Sequence, residues 1–322
     1  MLAALILSAL AAESIALPGG PPVGMDYLAS DQAHGRIWVP AGNTGNVDVV
    51  DIATGKVTPI GGFPTAPPRR PDRPKMGPSS ATVADDGVAW VGNRGDDSVC
   101  AVDPLTRTRT ACRKLPSTPD GVTYVRATRE VWVTTPRTRT VTIVAASKPE
   151  RGEPMTIKID GDPEGVAVDQ SRGVFYTNLE DHDRTLAIDA KTRKVVASFP
   201  TGCGADGPRG LAIDAERRLL FAACTDGAVA FDLARDGKEV GRIRTGHGVD
   251  NIDYAAKPGL LLVASGADGK LTFARVEKNG ALSKIGETAT AKGARCVVAG
   301  ADGTGYVADS AGGRLLVVKP PK

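Results

Sequence analysis

The sequence predicts an all-β protein, a seven-bladed β-propeller built from four-stranded blades. Three observations support this prediction. Short apolar runs separated by Gly, Pro, Asp and Asn recur from one end of the 322-residue chain to the other, and a period of about 40–45 residues is typical of propeller blades. A large apolar residue recurs at one position of seven such units. The segment that follows residue 12 also resembles the fourth strand of a unit, and the last unit lacks such a strand.

The recurring position is the second residue of an apolar run and marks the second strand of each unit. It is occupied, at spacings of 41 to 52 residues, by Trp38, Trp90, Trp132, Tyr176, Phe221, Leu262 and Tyr306. Each unit is long enough for about four strands of ~5–6 residues joined by short turns. We expect stacked blades to bury these side chains between neighbouring sheets.

The third strand of a unit ends in an aspartate that opens a turn. Asp51 and Asp189 each follow a run rich in Val or Ile and precede Thr with Gly or a charged residue. An aspartate in this place hydrogen-bonds to the backbone ahead of it. Both residues are therefore predicted to be hairpin residues rather than catalytic acids.

One unit carries the motifs Tyr176-Thr177-Asn178, Ile188-Asp189 and Pro208-Arg209-Gly210. In these motifs and in its repeat length the chain resembles the YVTN family of bacterial seven-bladed propellers, over about residues 13–322. The resemblance implies the fold and, because many YVTN proteins are recognition scaffolds, a binding role. It implies no particular activity, since propellers host many unrelated functions.

Residues 1–12 form an apolar segment that ends near the small-residue motif Ala9-Leu10-Ala11. The segment is too short to span a bilayer. It resembles the apolar region of a secretory signal without its usual basic start, and the alternative is an ordinary apolar terminus. Residues 13–322 are expected to form a single propeller. In it, the segment from Ser14 to Pro18 should pair with the last unit and remove both open sheet edges.

Residues 63–77 lengthen the connection between the first and second units and are rich in Pro and Arg. Proline at this density disfavours strand pairing, which predicts an extended basic arm. The arm is either a solvated insertion, or a lid or docking arm. The second interpretation follows from its place, because blade-to-blade connections lie on the face where propellers usually bind ligands.

The first residues of the innermost strands surround the mouth of the central channel in a propeller. Aligning the Pro-x-Gly entries of the units predicts seven residues at this mouth, which we call the collar: Asp26, Ser79, Asp120, Glu164, Arg209, Asp250 and Arg295. In blade order the arginines fall between acids, which predicts a salt-bridged, hydrated collar. The alternative is a site for a polar ligand or a cation. Asp120 and Glu164 are its candidate ligands, because they have no arginine between them and their oxygens suit Ca²⁺ or Mg²⁺.

His182 and His247, two of the three histidines, are predicted in loops on the same face as the collar. Imidazole can bind a metal or act as a general base near neutral pH. Neither histidine belongs to a recognisable metal-binding spacing. They are therefore candidate ligand-binding residues, with a plain surface position as the alternative.

Four of the five cysteines can form pairs. Cys100 and Cys112 lie on the two arms of one predicted hairpin, and Cys203 and Cys224 lie in loops on the same face of adjacent units. Two disulfides would suit an oxidising compartment, which predicts a periplasmic or secreted protein in agreement with the signal-like N terminus. Cys296 is then either a buried free thiol or a reactive nucleophile.

The net charge of +3 with both signs interspersed argues against nucleic acid or an anionic membrane as a partner, and we expect no transmembrane segment. The sequence favours an exported, monomeric, non-catalytic scaffold whose mouth face binds a protein, a peptide or a cell-envelope polymer. The alternative is a lactonase-like, metal-assisted hydrolase or lyase at the channel mouth. Its metal ligands would be Asp120 and Glu164, and its base His247 or His182.

Overall fold

Seven four-stranded antiparallel sheets make up the protein. The computed structural model describes residues 13–322, and the signal-like segment 1–12 lies outside the described residues. In the first six blades, consecutive strands are hydrogen-bonded neighbours from the inside of the ring to the outside. The predicted fold class, a seven-bladed β-propeller, is confirmed.

The first strand in the chain belongs to the last blade and is β1 (Glu13–Ala16). The first blade contains β2 (Ala29–Asp31), β3 (Arg36–Ala41), β4 (Asn46–Asp51) and β5 (Val57–Ile60). The second contains β6 (Pro78–Val83), β7 (Ala89–Asn93), β8 (Ser98–Asp103) and β9 (Thr108–Lys114). The third contains β10 (Val122–Val125), β11 (Glu130–Thr135), β12 (Thr140–Ala145) and β13 (Met155–Lys158).

The fourth blade contains β14 (Pro163–Asp169), β15 (Val174–Leu179), β16 (Arg184–Asp189) and β17 (Val195–Pro200). The fifth contains β18 (Pro208–Asp214), β19 (Leu219–Cys224), β20 (Gly227–Asp232) and β21 (Lys238–Arg244). The sixth contains β22 (Val249–Ala255), β23 (Leu260–Ser265), β24 (Lys270–Val276) and β25 (Leu282–Ala289). The seventh contains β26 (Val297–Ala299), β27 (Gly305–Asp309) and β28 (Arg314–Val318), and three loops carry 3-10 turns at Gly42–Thr44, Pro136–Thr138 and Leu233–Arg235.

The ring closes because β1 supplies the outer strand of the seventh blade. It runs antiparallel to β28, with Ser14 opposite Leu316 and Ile15 opposite Leu315. This pairing is the closure that the sequence predicts. It completes the fourth strand of the seventh blade, so neither β1 nor β28 is left without a partner strand. Among residues 13–322, none of the helices is both long enough and apolar enough to cross a bilayer.

The recurring apolar position fills the spaces between blades. Trp38, for example, packs with Ala81 and Val91 of the second blade. All seven side chains are buried, namely Trp38, Trp90, Trp132, Tyr176, Phe221, Leu262 and Tyr306. Burying a large apolar side chain stabilises the folded state by roughly 1.5–3 kcal/mol. A large apolar residue therefore recurs at this position because each interface between neighbouring blades must be filled by a buried side chain.

The aspartates that end the third strands act as turn residues. Asp51 Oδ1 accepts a hydrogen bond from the Thr54 backbone N–H at 2.9 Å, and Asp189 Oδ1 accepts one from Thr192 at 2.7 Å. These bonds, from the side chains and the backbone of Thr54 and Thr192, lower the pKa of both carboxyl groups. Their contacts are those of hairpin residues.

Residues 63–77 do not form the extended arm that their proline content predicts. Phe63 is buried in the core between the first two blades. Ala66 and Met76 exchange two backbone hydrogen bonds of 2.9 Å, which is possible because neither residue is a proline. The residues between them, 67–75, therefore form a closed loop, which we call the arm loop.

Candidate functional site

The structure brings the collar acids together at the channel mouth around one phenol. Tyr27 is surrounded by the carboxyl groups of Asp26, Asp120, Glu164 and Asp250. Burial, and then the negative charge of these acids, raises the pKa of Tyr27 well above its usual value. Tyr27 is therefore neutral and can donate a hydrogen bond, as it does to Glu164 Oε1 at 3.4 Å.

Arg94, from the loop between β7 and β8, pairs with two of these acids. Its Nη1 lies 2.9 Å from Asp26 Oδ2, its Nη2 pairs with Asp120 Oδ1, and its Nε donates to the Pro119 carbonyl at 3.1 Å. Burial alone would lower the pKa of Arg94, but the charges of Asp26 and Asp120 outweigh burial and raise it. Asp120 is thus not the unpaired acid that blade order suggests.

Glu164 forms a carboxyl pair with Asp120. Burial, followed by the charge of Asp120, raises the pKa of Glu164 well above its usual value, which favours the protonated form of its carboxyl group. Asp120 Oδ2 is buried and has no hydrogen-bond partner. Arg94 therefore supplies the cation on this side of the collar, beside two carboxyl groups whose pKa values are raised by burial.

The two predicted collar arginines pair with acids on the other side. Arg209 pairs with Glu180, from the loop between β15 and β16, rather than with Glu164. Arg295 Nε lies 3.3 Å from Asp250 Oδ2. Burial raises the pKa of Asp250 to about 6, although Arg295 opposes this shift.

Cys296 lies beneath these ion pairs as a buried free thiol. Its Sγ is 3.7 Å from Asp26 Oδ1 and 3.9 Å from Asp250 Oδ2. Burial, then the charges of Asp26 and Asp250, raises the pKa of Cys296 well above its usual value. Because the thiolate is the reactive form, this environment disfavours a nucleophilic role.

Two groups of side chains at the channel mouth have the composition of a cation site. Asp26, Asp250 and Cys296 place their ligand atoms within 4.8 Å of one another, and Asp120 and Glu164 form the predicted pair. Arginines already contact Asp26, Asp120 and Asp250. The arrangement therefore favours a collar in which arginines neutralise these three acids.

The two candidate histidines make their contacts away from the collar acids. His182 Nδ1 lies 2.8 Å from the Asp160 carbonyl oxygen. His247 Nδ1 lies 3.5 Å from Asp268 Oδ2, and the His247 side chain is 80% exposed. The structure thus brings together the predicted Asp26, Asp120, Glu164, Arg209, Asp250 and Arg295, but not the two histidines.

A cavity of about 710 Å³ lies between the arm loop and the collar, and we call it the mouth cavity. The segment before β2, from Pro22 to Asp26, forms one of its walls. Arg94 and Arg295 line it from the collar side. The charged residues of the arm loop line it from the other side, namely Arg69, Arg70, Asp72, Arg73 and Lys75.

Tyr27, Arg94 and Glu180 are not among the site residues that the sequence predicts. Arg94 and Glu180 occupy loops between the second and third strands of their blades, which lie on the mouth face. The Pro-x-Gly entries mark only residues of the innermost strands and carry no signal for these loops. The signal that points to both residues is an arginine or an acid in a loop that reaches the mouth.

The cysteines outside the collar form two disulfides in the structure. Cys100 and Cys112 join the neighbouring strands β8 and β9. Cys203 and Cys224 join the loop after β17 to the end of β19 in the next blade. Both disulfides lie apart from the mouth cavity lining.

Seven blades and a polar channel mouth define a seven-bladed β-propeller with a candidate ligand site. No protein-family model and no curated protein matches the chain. Similar solved structures include a streptogramin B lyase, with 14% identity and a TM-score of 0.74 over 95% of this chain and 97% of that one. Virginiamycin B lyase from Staphylococcus aureus has 13% identity and a TM-score of 0.72, with coverages of 96% and 99%. A chain of the mitotic checkpoint complex has 14% identity and a TM-score of 0.78, with coverages of 98% and 93%. These likenesses show the fold alone.

Proposed function

We propose that the protein is a non-catalytic binding propeller of the YVTN type that captures its ligand in the mouth cavity. The observation that carries this proposal is the cavity itself, whose volume of about 710 Å³ is typical of ligand sites. The arm loop that encloses it is no part of the repeating blade. Because Phe63 and the Ala66–Met76 hydrogen bonds hold this loop at both ends, the cavity is formed before a ligand arrives, which lowers the cost of binding.

The collar chemistry supports binding over catalysis. Arginines pair with Asp26, Asp120 and Asp250, burial raises the pKa of the Cys296 thiol, and the histidines face other partners. The proposed ligand is a segment of a protein, a peptide or a cell-envelope polymer. The two disulfides support export to the periplasm or the cell exterior, with residues 1–12 proposed as the signal.

Shortening the arm loop should weaken ligand binding and leave the blades folded. We propose replacing residues 67–75 with Asn-Gly, because Ala66 and Met76 already pair and this dipeptide suits a two-residue hairpin turn. For peptides and cell-envelope fragments that stabilise the wild type in thermal unfolding, the dissociation constant should rise about tenfold or more, equivalent to about 1.4 kcal/mol.

The matched control shortens residues 148–152 in the same way. That loop, exposed except for Pro149, joins the third and fourth strands of the third blade, so it lies on the face opposite the mouth. It should bind the same ligands as the wild type. Ligands that bind the arm-shortened protein and the wild type equally well would place the binding surface elsewhere and contradict the proposal.

One observation favours a second function, a metal-assisted hydrolase or lyase. Asp120 Oδ2 is buried without a hydrogen-bond partner, and Glu164 lies close enough for the charge of Asp120 to raise its pKa, so a hard cation could bridge the two carboxyl groups. Such a cation would polarise a carbonyl group of a substrate. Asp120 and Glu164 would hold the cation, while Arg94 would remain bound to Asp120.

A metal titration separates the two functions. We expect that millimolar Ca²⁺ or Mg²⁺ leaves the thermal unfolding of chelator-treated protein unchanged, because Arg94 already pairs with Asp120 and burial disfavours the charged form of Glu164. A cation at about 100 times its dissociation constant would instead stabilise the fold by about 2.7 kcal/mol. A stabilisation of that size that disappears in Glu164→Gln would favour the enzyme.

A further inference from the structure

The arm loop carries an unbalanced positive charge beside the mouth cavity. Residues 67–75 contain four basic residues and one acid, Asp72, so their net charge of +3 equals that of the whole chain. Among residues 13–322, the ion pair that the arm loop makes is Arg73 with Asp72, at 3.9 Å and between exposed side chains. An ion pair between exposed side chains contributes little to the stability of the folded protein. Arg69, Arg70 and Lys75 therefore make no ion pair of their own in the described part of the protein.

Arg69 is the cation of the arm loop that is most firmly positioned. Its Nη2 donates to Thr118 Oγ1 at 2.5 Å, which directs the guanidinium group toward the collar. Burial lowers the pKa of Arg69, and the nearby positive charges of Arg137 and Arg94 lower it further, outweighing the opposing charges of Asp97 and Asp120. Arg137 also makes no ion pair among the described residues. An anion would stabilise such an excess of positive charge.

The rest of the mouth cavity does not supply that anion. Its lining contains two carboxylates, Asp26 and Asp72, and Asp26 is already bound to Arg94. The same lining contains six cationic side chains, namely Arg69, Arg70, Arg73, Lys75, Arg94 and Arg295. Guanidinium groups match carboxylates and phosphates through paired, charge-assisted hydrogen bonds. The cavity therefore presents fixed donors and a positive potential to its contents.

We infer that the mouth cavity recognises an anionic group of its ligand, a carboxylate or a phosphate, which Arg69 and Arg70 of the arm loop bind directly. This inference rests on the proposed function and adds the chemical class of the ligand. The ion pair between Asp26 and Arg94 stays closed and forms part of the cavity wall. Lys75 and Arg73 add positive potential, which attracts the anion and makes its binding sensitive to salt.

The test uses citrate and pyrophosphate as anionic probes and glycerol as a neutral one, measured by titration calorimetry at low ionic strength. The variant is Arg69→Gln with Arg70→Gln. The matched control is Arg275→Gln with Lys278→Gln, which removes two exposed charges from the sixth blade. We expect at least one anion to bind the wild type and the control with the same dissociation constant. For the variant, the dissociation constant of that anion should be about tenfold higher or more.

Binding of citrate alone would identify a carboxylate ligand, and binding of pyrophosphate alone a phosphate ligand. The inference is overturned if neither anion binds the wild type, or if the variant binds as tightly as the control. Thermal unfolding of the variant, expected to match the control, excludes loss of fold as the cause. A neutral or cationic ligand that requires the arm loop, without anion binding, would uphold the proposed function and refute only its anionic class.

Discussion

Replacing Arg94 with Gln is expected to lower the free energy of unfolding by about 3–5 kcal/mol at neutral pH, the range typical of breaking a buried ion pair. Arg94 bridges Asp26 and Asp120, and its removal leaves two largely buried carboxylates without a cation. The glutamine amide can still donate hydrogen bonds but carries no charge. Urea unfolding of the wild type and the variant measures the loss.

The loss should depend on pH with a defined sign. Without Arg94 the pKa of Asp120, already raised by burial, rises further in the folded protein. A folded-state pKa above the unfolded value makes stability fall as pH rises between the two. The destabilisation should therefore be small below about pH 4 and grow as the pH rises above that value.

The control for Arg94 adds Asp120→Asn, which removes one of the two charges left without a partner. The double variant should be less destabilised than the sum of the single changes, because the two residues interact directly. A loss under about 1 kcal/mol, as for an exposed pair, or a loss that does not vary with pH, would show that the ion pair does not stabilise the collar.

Replacing Asp48 with Val is expected to raise the free energy of unfolding by about 4 kcal/mol above about pH 7. Asp48 lies in β4, opposite Val39, is fully buried, and neither carboxylate oxygen has a hydrogen-bond partner. Burial raises its pKa from 3.8 to about 7. Val229 occupies the equivalent place in the fifth blade, opposite Ala222, so valine suits the space.

The sign again follows from the raised pKa. The folded protein holds a proton on Asp48 that the unfolded chain loses, so wild-type stability should fall as pH rises from about 4 to about 7. The valine variant should lack this fall in stability.

Asp51→Asn is the matched control on the same strand. The pKa of Asp51 is lowered by hydrogen bonds from Thr54, so its loss should destabilise the protein at neutral pH. If the free energy of unfolding depends on pH equally in the wild type and in Asp48→Val, the raised pKa does not belong to Asp48.

The fold could be predicted from the sequence because each blade repeats one packing solution. Trp38 and Trp132 recur at one position since every interface between blades must be filled. The segment starting at Ser14 could be placed in the last blade because that blade lacked an outer strand. These features depend on residues close together in sequence, or on a count of repeats.

The collar could be predicted in part. The entry positions place Asp26 and Asp120 at the mouth, but the partner of both, Arg94, comes from a loop whose conformation the sequence does not display. The arm loop was mispredicted for a related reason. Its proline content indicates an extended segment, whereas its shape depends on a space between two blades that accepts Phe63.

The pairing of β1 with β28 also determines how the propeller is presented to its surroundings. Ser310 and Ala311 line the mouth cavity, and β28 follows them and runs away from the mouth to Val318. Glu13 lies opposite Val317, so the described chain both enters and leaves the ring on the far side of the molecule. A tether joined at either end would therefore hold the propeller with its cavity facing outward, open to ligands arriving from solution.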